Sequence, residues 1–264
     1  MLTFKKGLYS GEVTCEKNIN GIIACVTDYH IYDYNSAMHC HENAHLSFMI
    51  QGGCVEKKRD AFDISPGSIQ YYSSGEMHQV IKVAEPSRRV NLELEESFFA
   101  QFDLNDAQAS VAISKNPEFK FLMIKIYKEL LTYDSLSEIS IQMLLFQLIS
   151  QEQYHGQTNK LPLWISAVEE YLRDNPDEKV SLQELALITN MHPVTLSKNF
   201  PKYFHCTIGE YKRRIKIEKS LTLIKSSKLT LTDIALTCGF FDQNHFIRTF
   251  KHITGFLPME YKRS

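Results

Sequence analysis

Residues 181–213, SLQELALITNMHPVTLSKNFPKYFHCTIGEYKR, are echoed by residues 229–263, LTLTDIALTCGFFDQNHFIRTFKHITGFLPMEYKR. Leu182 and Leu231, Ala186 and Ala235, and Leu187 and Leu236 align at an offset of 49, whereas Phe200 and Phe250, Glu210 and Glu260, Tyr211 and Tyr261, Lys212 and Lys262, and Arg213 and Arg263 align at 50. A one-residue slip confined to a turn is what two copies of one helix-turn-helix unit tolerate. The repeat predicts units over about 181–204 and 230–253.

Each unit can be built from its residues. Ser181 and Thr230 are N-cap residues with an acid three positions on, Glu184 and Asp233, the pattern of a capping box. Leu182, Leu185 and Ala186, and Leu231, Ile234 and Ala235, then recur at helical spacing, with alanine where a second helix approaches closely. Gly239 supplies the turn in the second copy and Asn190 takes the same left-handed role in the first. The following helices turn Leu196, Phe200 and Tyr203, or Phe246, Phe250 and Ile253, inward. Their opposite faces carry Thr195, Ser197 and Lys198, or Gln243, Asn244 and Arg248, side chains able to bond base edges and phosphates. For some of these a plainer role stands beside that one. Gln243 and Asn244 would cap the helix that Asp242 begins, and Arg248 would bond a phosphate in place of a base. His192 and His245 point in neither direction.

Between the units, residues 208–226 place Tyr211, Ile215, Leu221 and Ile224 in a buried stripe and predict one helix. At roughly 1.5 Å per residue, ~17 to 19 residues span ~26 to 28 Å, a strut for two recognition helices about one DNA turn, ~34 Å, apart. The charge is split. The whole chain carries −2, but residues 160–264 hold 16 Lys and Arg against 11 Asp and Glu, and the first 159 hold 13 against 20. Nine basic residues fall between Lys198 and Lys228, among them Lys202, Lys212, Arg213 and Arg214, against Glu210 and Glu218. Such a local field attracts phosphates whatever their sequence.

With Ile234-Ala235, Gly239-Phe240, Phe246, Arg248, Phe250-Lys251, Gly255, Pro258 and Tyr261 at their spacings, the last hundred or so residues resemble the AraC/XylS transcription regulators. The resemblance implies an all-α domain over 160–264, with two helix-turn-helix subdomains joined by the long helix. It implies base-contacting positions at Val194, Ser197 and Lys198 in the first recognition helix, and at Gln243, Asn244 and Arg248 in the second. The first copy departs twice. His205 stands where glycine is usual, and Pro201 where a basic residue follows the phenylalanine. Proline lacks an amide donor, so the end of that helix is expected to bend or shorten.

The first hundred residues have another rhythm. Runs at 21–34, 46–50, 67–72 and 78–83, separated by Gly, Pro and polar clusters, predict short strands in a barrel or sandwich. MHCHENAHLSFMIQGG, ISPGSIQYYSSGEMHQV and NLELEESFF resemble the cupin-type sensory domain of many AraC-type regulators, which implies a cupin-like β-barrel over 1–105. His39 and His41 alternate on one strand face, His45 follows, and His78 lies on a later strand. The spacing resembles the metal motif of cupin enzymes, with His45 where a glutamate is common. Four imidazoles can hold a first-row metal, or they line a small-molecule pocket or a strand mouth; the second reading makes them ligand-binding residues without a metal or other cofactor. Glu42 and Glu76 are expected to be loop acids, and Cys40 to face away from its neighbouring histidines.

Two amphipathic stretches follow, 116–133 with Phe119, Leu122, Met123, Ile126 and Leu130, and 135–154 with Ile141, Leu144, Leu145, Leu148 and Ile149. They predict two helices within a segment 106–156. Both stripes pack on the strands, or, as in similar regulators, the segment pairs two subunits into a homodimer. The polar stretch Gln151 to Lys160 divides the two parts. With 44% hydrophobic and 23% charged residues the chain can bury two cores. It shows no secretory segment and no run of ~20 apolar residues to span a bilayer. Its six cysteines form no CxxC pair, which suits reduced thiols in the cytoplasm.

The expected protein is thus a two-domain α+β, non-enzymatic transcription regulator, by resemblance an activator. It would bind double-stranded DNA, respond to a small-molecule effector and act on RNA polymerase. The alternative is a cupin-type metalloenzyme fused to a DNA-binding tail.

Overall fold

A computed structural model describes residues 2–30, 36–116, 118–153, 162–175 and 180–264. The chain divides into two compact units, Met1–His155 and Gly156–Ser264, the first rich in sheet and the second helical. The polar stretch 151–160 lies mostly outside the described residues.

In the first unit the strands are β1 (Leu2–Phe4), β2 (Glu12–Ile19), β3 (Ile22–Tyr29), β4 (His39–His41), β5 (Ala44–Lys57), β6 (Ala61–Ile64), β7 (Ile69–Tyr72) and β8 (Gln79–Leu94). The main sheet runs β2-β3-β8-β5-β6, with β7 also on β5, and β1 pairs with β4 in parallel. This corrects the expected barrel. Among the described residues the terminal strands β2 and β6 do not hydrogen-bond to each other, so the sheet is an open path. The reason lies in β5, which spends Cys54–Lys57 on β6 and His45–Phe48 on β7, with register shifts around residues 49–53 where it follows β8. Gly52 sits at φ 76°, and a Cβ there would come within 2.1 Å of the Ser87 hydroxyl. Only glycine allows the two long strands to approach at this bend.

Register assigns the two faces of the sheet. Leu92 and Val90 of β8 stand opposite Leu46 and Phe48 of β5 and Ala24 and Val26 of β3, and all six are buried. On this side Arg88 donates to the Tyr127 hydroxyl at 3.3 Å, and Cys15 to the Leu130 carbonyl at 3.6 Å, which marks it as the side covered by α3 (Phe119–Thr132). The other face carries Arg89, Asn91 and Glu93, facing Met49, Ser47 and His45. Polar side chains thus alternate along a buried strand, and each needs an internal partner.

Three further helices belong to this unit, α1 (Glu96–Gln101), α2 (Asp106–Lys115) and α4 (Ser137–Gln153). All five apolar residues of the first predicted stripe are buried in α3, as are Phe121, Ile124 and Tyr127. In α4, Ile141, Leu145 and Leu148 are buried and Leu144 is half-buried; the side chain of Ile149 lies outside the described set.

The second unit holds α5 (Leu163–Asp174), α6 (Leu182–Thr189), α7 (Pro193–Phe204), α8 (Ile208–Ser226), α9 (Leu231–Thr237), α10 (Gln243–Thr254) and α11 (Pro258–Arg263). Its helices start where the caps direct. The Glu184 amide donates to the Ser181 hydroxyl at 3.2 Å and the Ser181 amide to the Glu184 carboxylate at 2.6 Å. The same reciprocal pairs join Thr207 to Glu210 and Thr230 to Asp233. Asn190 ends α6 at φ 51°, and Gly239 turns at φ 71°. Pro201 neither ends nor shortens α7, which at 12 residues matches α10. The amide lost at Pro201 would have bonded the carbonyl of Ser197, whose residue is exposed, so water can satisfy that carbonyl. Beyond the proline the turn is held by Phe204, which stacks on Phe200 with centroids 4.1 Å apart and meets Tyr211 edge-on at 5.0 Å.

His205 ends α7 at φ 52°, where α10 ends on Gly255 at φ 82°. A β-carbon is disfavoured in that left-handed region. His205→Gly should therefore raise the stability of the second unit by about 0.5–1 kcal/mol, read as a higher urea midpoint with unchanged slope.

Candidate DNA interface and imidazole cluster

The two recognition candidates are α7 and α10. Each buries one stripe, Leu196, Phe200 and Phe204 in α7, and Phe246, Thr249, Phe250 and Thr254 in α10. Helical periodicity turns the rest outward. Val194, Thr195, Ser197, Lys198, Lys202, Asn244 and Arg248 are exposed and Gln243 is half-buried. The helix starts are capped by other residues: the Val194 amide donates to the His192 ring at 3.3 Å, and the His245 amide to the Asp242 carboxylate at 2.7 Å. Capping of α10 thus falls to Asp242 and leaves Asn244 outward. Gln243 instead takes a hydrogen bond from the Thr232 hydroxyl at 2.6 Å, tying α10 to α9 through its amide oxygen.

The helix α8 lies between the two copies and buries Tyr211, Ile215, Ile217, Ser220, Leu221 and Ile224. Tyr211 and Ile215 join the core of α5, α6 and α7. Lys216 holds the second copy by donating to the Gly239 carbonyl. Arg213 and Arg214 of α8 and Arg248 and His252 of α10 line one surface groove of about 230 Å³, with Glu210 at its edge. Lys212 is turned elsewhere. Its amino group donates to the Val180 carbonyl at 3.3 Å, and burial pulls its pKa below the usual lysine range. Of the three adjacent basic residues, the structure brings Arg213 and Arg214, not Lys212, to the side of Arg248.

The four histidines singled out in the first unit do come together. His39 and His78 exchange backbone hydrogen bonds of 2.9 and 2.8 Å, which sets their rings 4.4 Å apart. His41, two residues along β4, stacks near His78 at 5.4 Å, and His45 lies 4.2 Å from His41. All four are buried. Burial, followed by the neighbouring imidazoles, lowers the pKa of His41 to about 3 and pushes that of His45 well down. Burial also takes His78 to about 4, against the opposing pull of the Glu76 carbonyl. Cys40 faces the other way, its sulfur 3.5 Å from the Thr3 hydroxyl. Glu42 is exposed, and Glu76 pairs with Lys58 at 2.7 Å.

Around the rings lie residues that the sequence pattern did not single out. Phe4 covers His39 at 4.5 Å, and Tyr72 stacks on His45 at 4.5 Å. Tyr9 reaches Glu93 at 3.1 Å, and Glu93 also accepts from Asn43 at 2.8 Å. Deeper along the same face, Arg89 donates to Glu56 at 2.6 Å and to the Cys54 sulfur at 2.7 Å, and the Tyr72 hydroxyl donates to Glu56. The signal was the alternation of Arg89, Asn91 and Glu93 with Val90, Leu92 and Leu94 at the end of the strand.

The fold and the exposed helix faces define a double helix-turn-helix protein. Residues 185–264 match the family model described as "Helix-turn-helix domain", and this unit is an AraC-type helix-turn-helix domain, as the sequence resemblance implied. The HTH-type transcriptional regulator GbdR of Pseudomonas aeruginosa is 25% identical over 136 residues, 48% of this chain and 36% of that protein. An uncharacterised HTH-type transcriptional regulator of Staphylococcus aureus is 24% identical over 256 residues, 93% of this chain and 32% of its own length. The chain thus spans about a third of the length of these curated relatives. Among solved structures, the apo form of a lysine-to-alanine variant of ToxT of Vibrio cholerae is similar at 14% identity over 94% of this chain and 98% of that one, with a TM-score of 0.39. No helix of the described residues is long and apolar enough to cross a membrane.

Proposed function

We propose that the protein is a sequence-specific DNA-binding transcription regulator of the cytoplasm, without enzymatic activity, whose second unit reads two successive major grooves of double-stranded DNA. The observation that carries this is the repetition of one capped helix, turn and second helix with the same polar outward face. Val194, Thr195, Ser197 and Lys198 in α7, and Gln243, Asn244 and Arg248 in α10, are the reading residues. Lys202, Arg213 and Arg214 hold phosphates, Lys212 supports them from the α8 packing side, and α8 is the strut joining the two readers. The first unit is a cupin-like sensor in which His39, His41, His45 and His78 face an effector. The segment 106–156 pairs two copies. In its favour, Leu136 just before α4 and Ile139, Met143 and Phe146 along one side of α4 are each more than half accessible. Bound in this form, the dimer acts on RNA polymerase, by family resemblance as an activator.

Capture of genomic fragments bound by the full chain, followed by alignment of their shared sequence, tests the reading. Recovery of two half-site elements separated by about one helical turn, ~10 bp, is expected; fragments without a shared element would overturn it. On such a site Arg248→Ala should weaken binding by roughly 1–3 kcal/mol while leaving random duplex little affected. Equal loss on both would make Arg248 a phosphate contact. Arg213→Ala should instead weaken both alike and flatten the dependence of log affinity on log salt by about 1, measured by fluorescence anisotropy between low and moderate salt.

A further inference from the structure

We infer that Phe241, in the turn ahead of α10, reads the C5-methyl group of thymine in the major groove, and that Val194 at the head of α7 makes the same kind of contact in the neighbouring half-site. The inference rests on the DNA-reading role proposed above and names the base chemistry that the two helix heads select.

The turn between α9 and α10 uses its two aromatic residues differently. Phe240 is buried, with its ring 5.2 Å from Phe246 and 5.4 Å from His245 and the Lys216 ammonium 5.8 Å from its centroid. The apolar contact that fixes the entry of the chain into α10 is therefore already made. Phe241 is 90% exposed. An apolar ring in water contributes nothing until a partner covers it. Asp242 follows and caps α10 at the His245 amide, 2.7 Å away, and Gln243 and Asn244 come next. Two residues of chain reach at most ~7 Å, so the ring stands beside the reading residues, at the end by which recognition helices meet base edges. The first copy has its apolar group at the same end. Val194, the second residue of α7, is 53% exposed, its amide held by the His192 ring at 3.3 Å, and Thr195 and Lys198 are exposed beyond it.

Chemistry narrows what covers these two side chains. A phosphate oxygen calls for a donor or a positive charge, and neither a phenyl ring nor an isopropyl group supplies one. In the major groove the donors and acceptors of the bases suit Gln243, Asn244 and Arg248, whereas the thymine C5-methyl is the apolar group on display. Burial of that methyl against Phe241 or Val194 is favourable without any polar partner. The other bases present polar edges, which would lose water against an apolar side chain without gaining a hydrogen bond in return. Each helix head thus pairs an apolar reader with polar ones, so a half-site is distinguished by where its thymine methyl lies as well as by its hydrogen-bonding pattern.

The test uses the full chain and a duplex carrying the site recovered from genomic fragments, with fluorescence anisotropy as the readout. Thymines of each half-site are replaced one at a time by uracil, which keeps every hydrogen-bonding group and lacks the methyl. For the wild-type chain, at least one such replacement in each half-site should weaken binding by about fourfold, the worth of one buried methyl group. Where cytosine at that position weakens binding, 5-methylcytosine should recover part of the loss. Phe241→Ala should bind the unmodified site about tenfold more weakly, bind random duplex as before, and no longer distinguish thymine from uracil in one half-site. Val194→Ser should do the same in the other half-site, with a loss of about fourfold. Unchanged affinity in Phe241→Ala, the result that a protein partner seated on the ring would give, overturns the inference. So does equal loss on specific and random duplex, or sensitivity to uracil that persists in both variants. A wild-type chain that selects no fragment would sink the regulator reading itself; one that selects a site but tolerates uracil at every thymine would sink this inference alone.

Discussion

Replacing Phe250 by alanine should destabilise the second unit by about 3–5 kcal/mol, the usual loss for truncating a buried aromatic side chain. Phe250 is fully buried, with ring centroids 5.7 Å from both Phe246 and Tyr261. The cavity would open at the seam of α10 and α11, so the recognition helix loses its support along with its packing. A domain of this size has only about 5–15 kcal/mol in hand, and such a loss should abolish DNA binding at physiological temperature. Urea unfolding followed by far-UV circular dichroism measures it. Phe241 supplies the control: it is 90% exposed, and Phe241→Ala should change stability by no more than about 0.5 kcal/mol. A comparable loss from both substitutions would show that the contrast between buried Phe250 and exposed Phe241 is wrong.

Arg89→Met should cost the first unit about 3–5 kcal/mol, because it strands a carboxylate in the interior. Side chains of Arg89 and Glu56 are 6% and 0% exposed, with nitrogen and oxygen 2.6 Å apart, and the guanidinium also lies over the Tyr29 ring at 5.2 Å. Burial opposes its charge, but Tyr29 and Glu56 hold it protonated. Without it, Glu56 keeps Tyr72 and the Cys54 thiol as its donors among the described residues. The double substitution Arg89→Met/Glu56→Leu removes both charges and should recover most of the loss. Hydrogen exchange of the β5 and β8 amides in the full chain measures both variants on the unit concerned. If the double variant is no more stable than the single one, the buried pair is not what the single substitution broke.

Much of the second unit was legible in the sequence because its decisive interactions are local. A Ser or Thr cap meets its acid three residues away, as at Ser181 with Glu184 and Thr230 with Asp233. A left-handed stop is announced by Asn or Gly, as at Asn190 and Gly255. The helical period then gives the inward Leu196, Phe200, Phe246 and Phe250 without knowledge of what they touch. At Pro201 the expected shortening does not occur, because the aromatic packing of Phe204 on Phe200 and Tyr211 carries the last turn. The stripe read from α8 was incomplete for a related reason: a helix between two subdomains buries more than one face, which adds Ile217 and Ser220.

The first unit was legible only in outline. Runs of alternating residues announced strands, but β5 and β8 extend through Gly52, Gly53 and Pro86 to 14 and 16 residues, because partners remote in sequence supply their hydrogen bonds. The helices α1 and α2 here, and α5 and α11 in the second unit, were not individually foreseen. By itself, then, the sequence determined the duplicated, capped helix-turn-helix units, since each rests on contacts a few residues apart. Tertiary structure alone decided that the sheet stays open, that Lys212 turns aside while Arg213 and Arg214 stand with Arg248, that Arg89 finds Glu56, and that His78 meets His39 across a strand pair. Those outcomes depend on which strand or helix lies opposite, and no local periodicity encodes that.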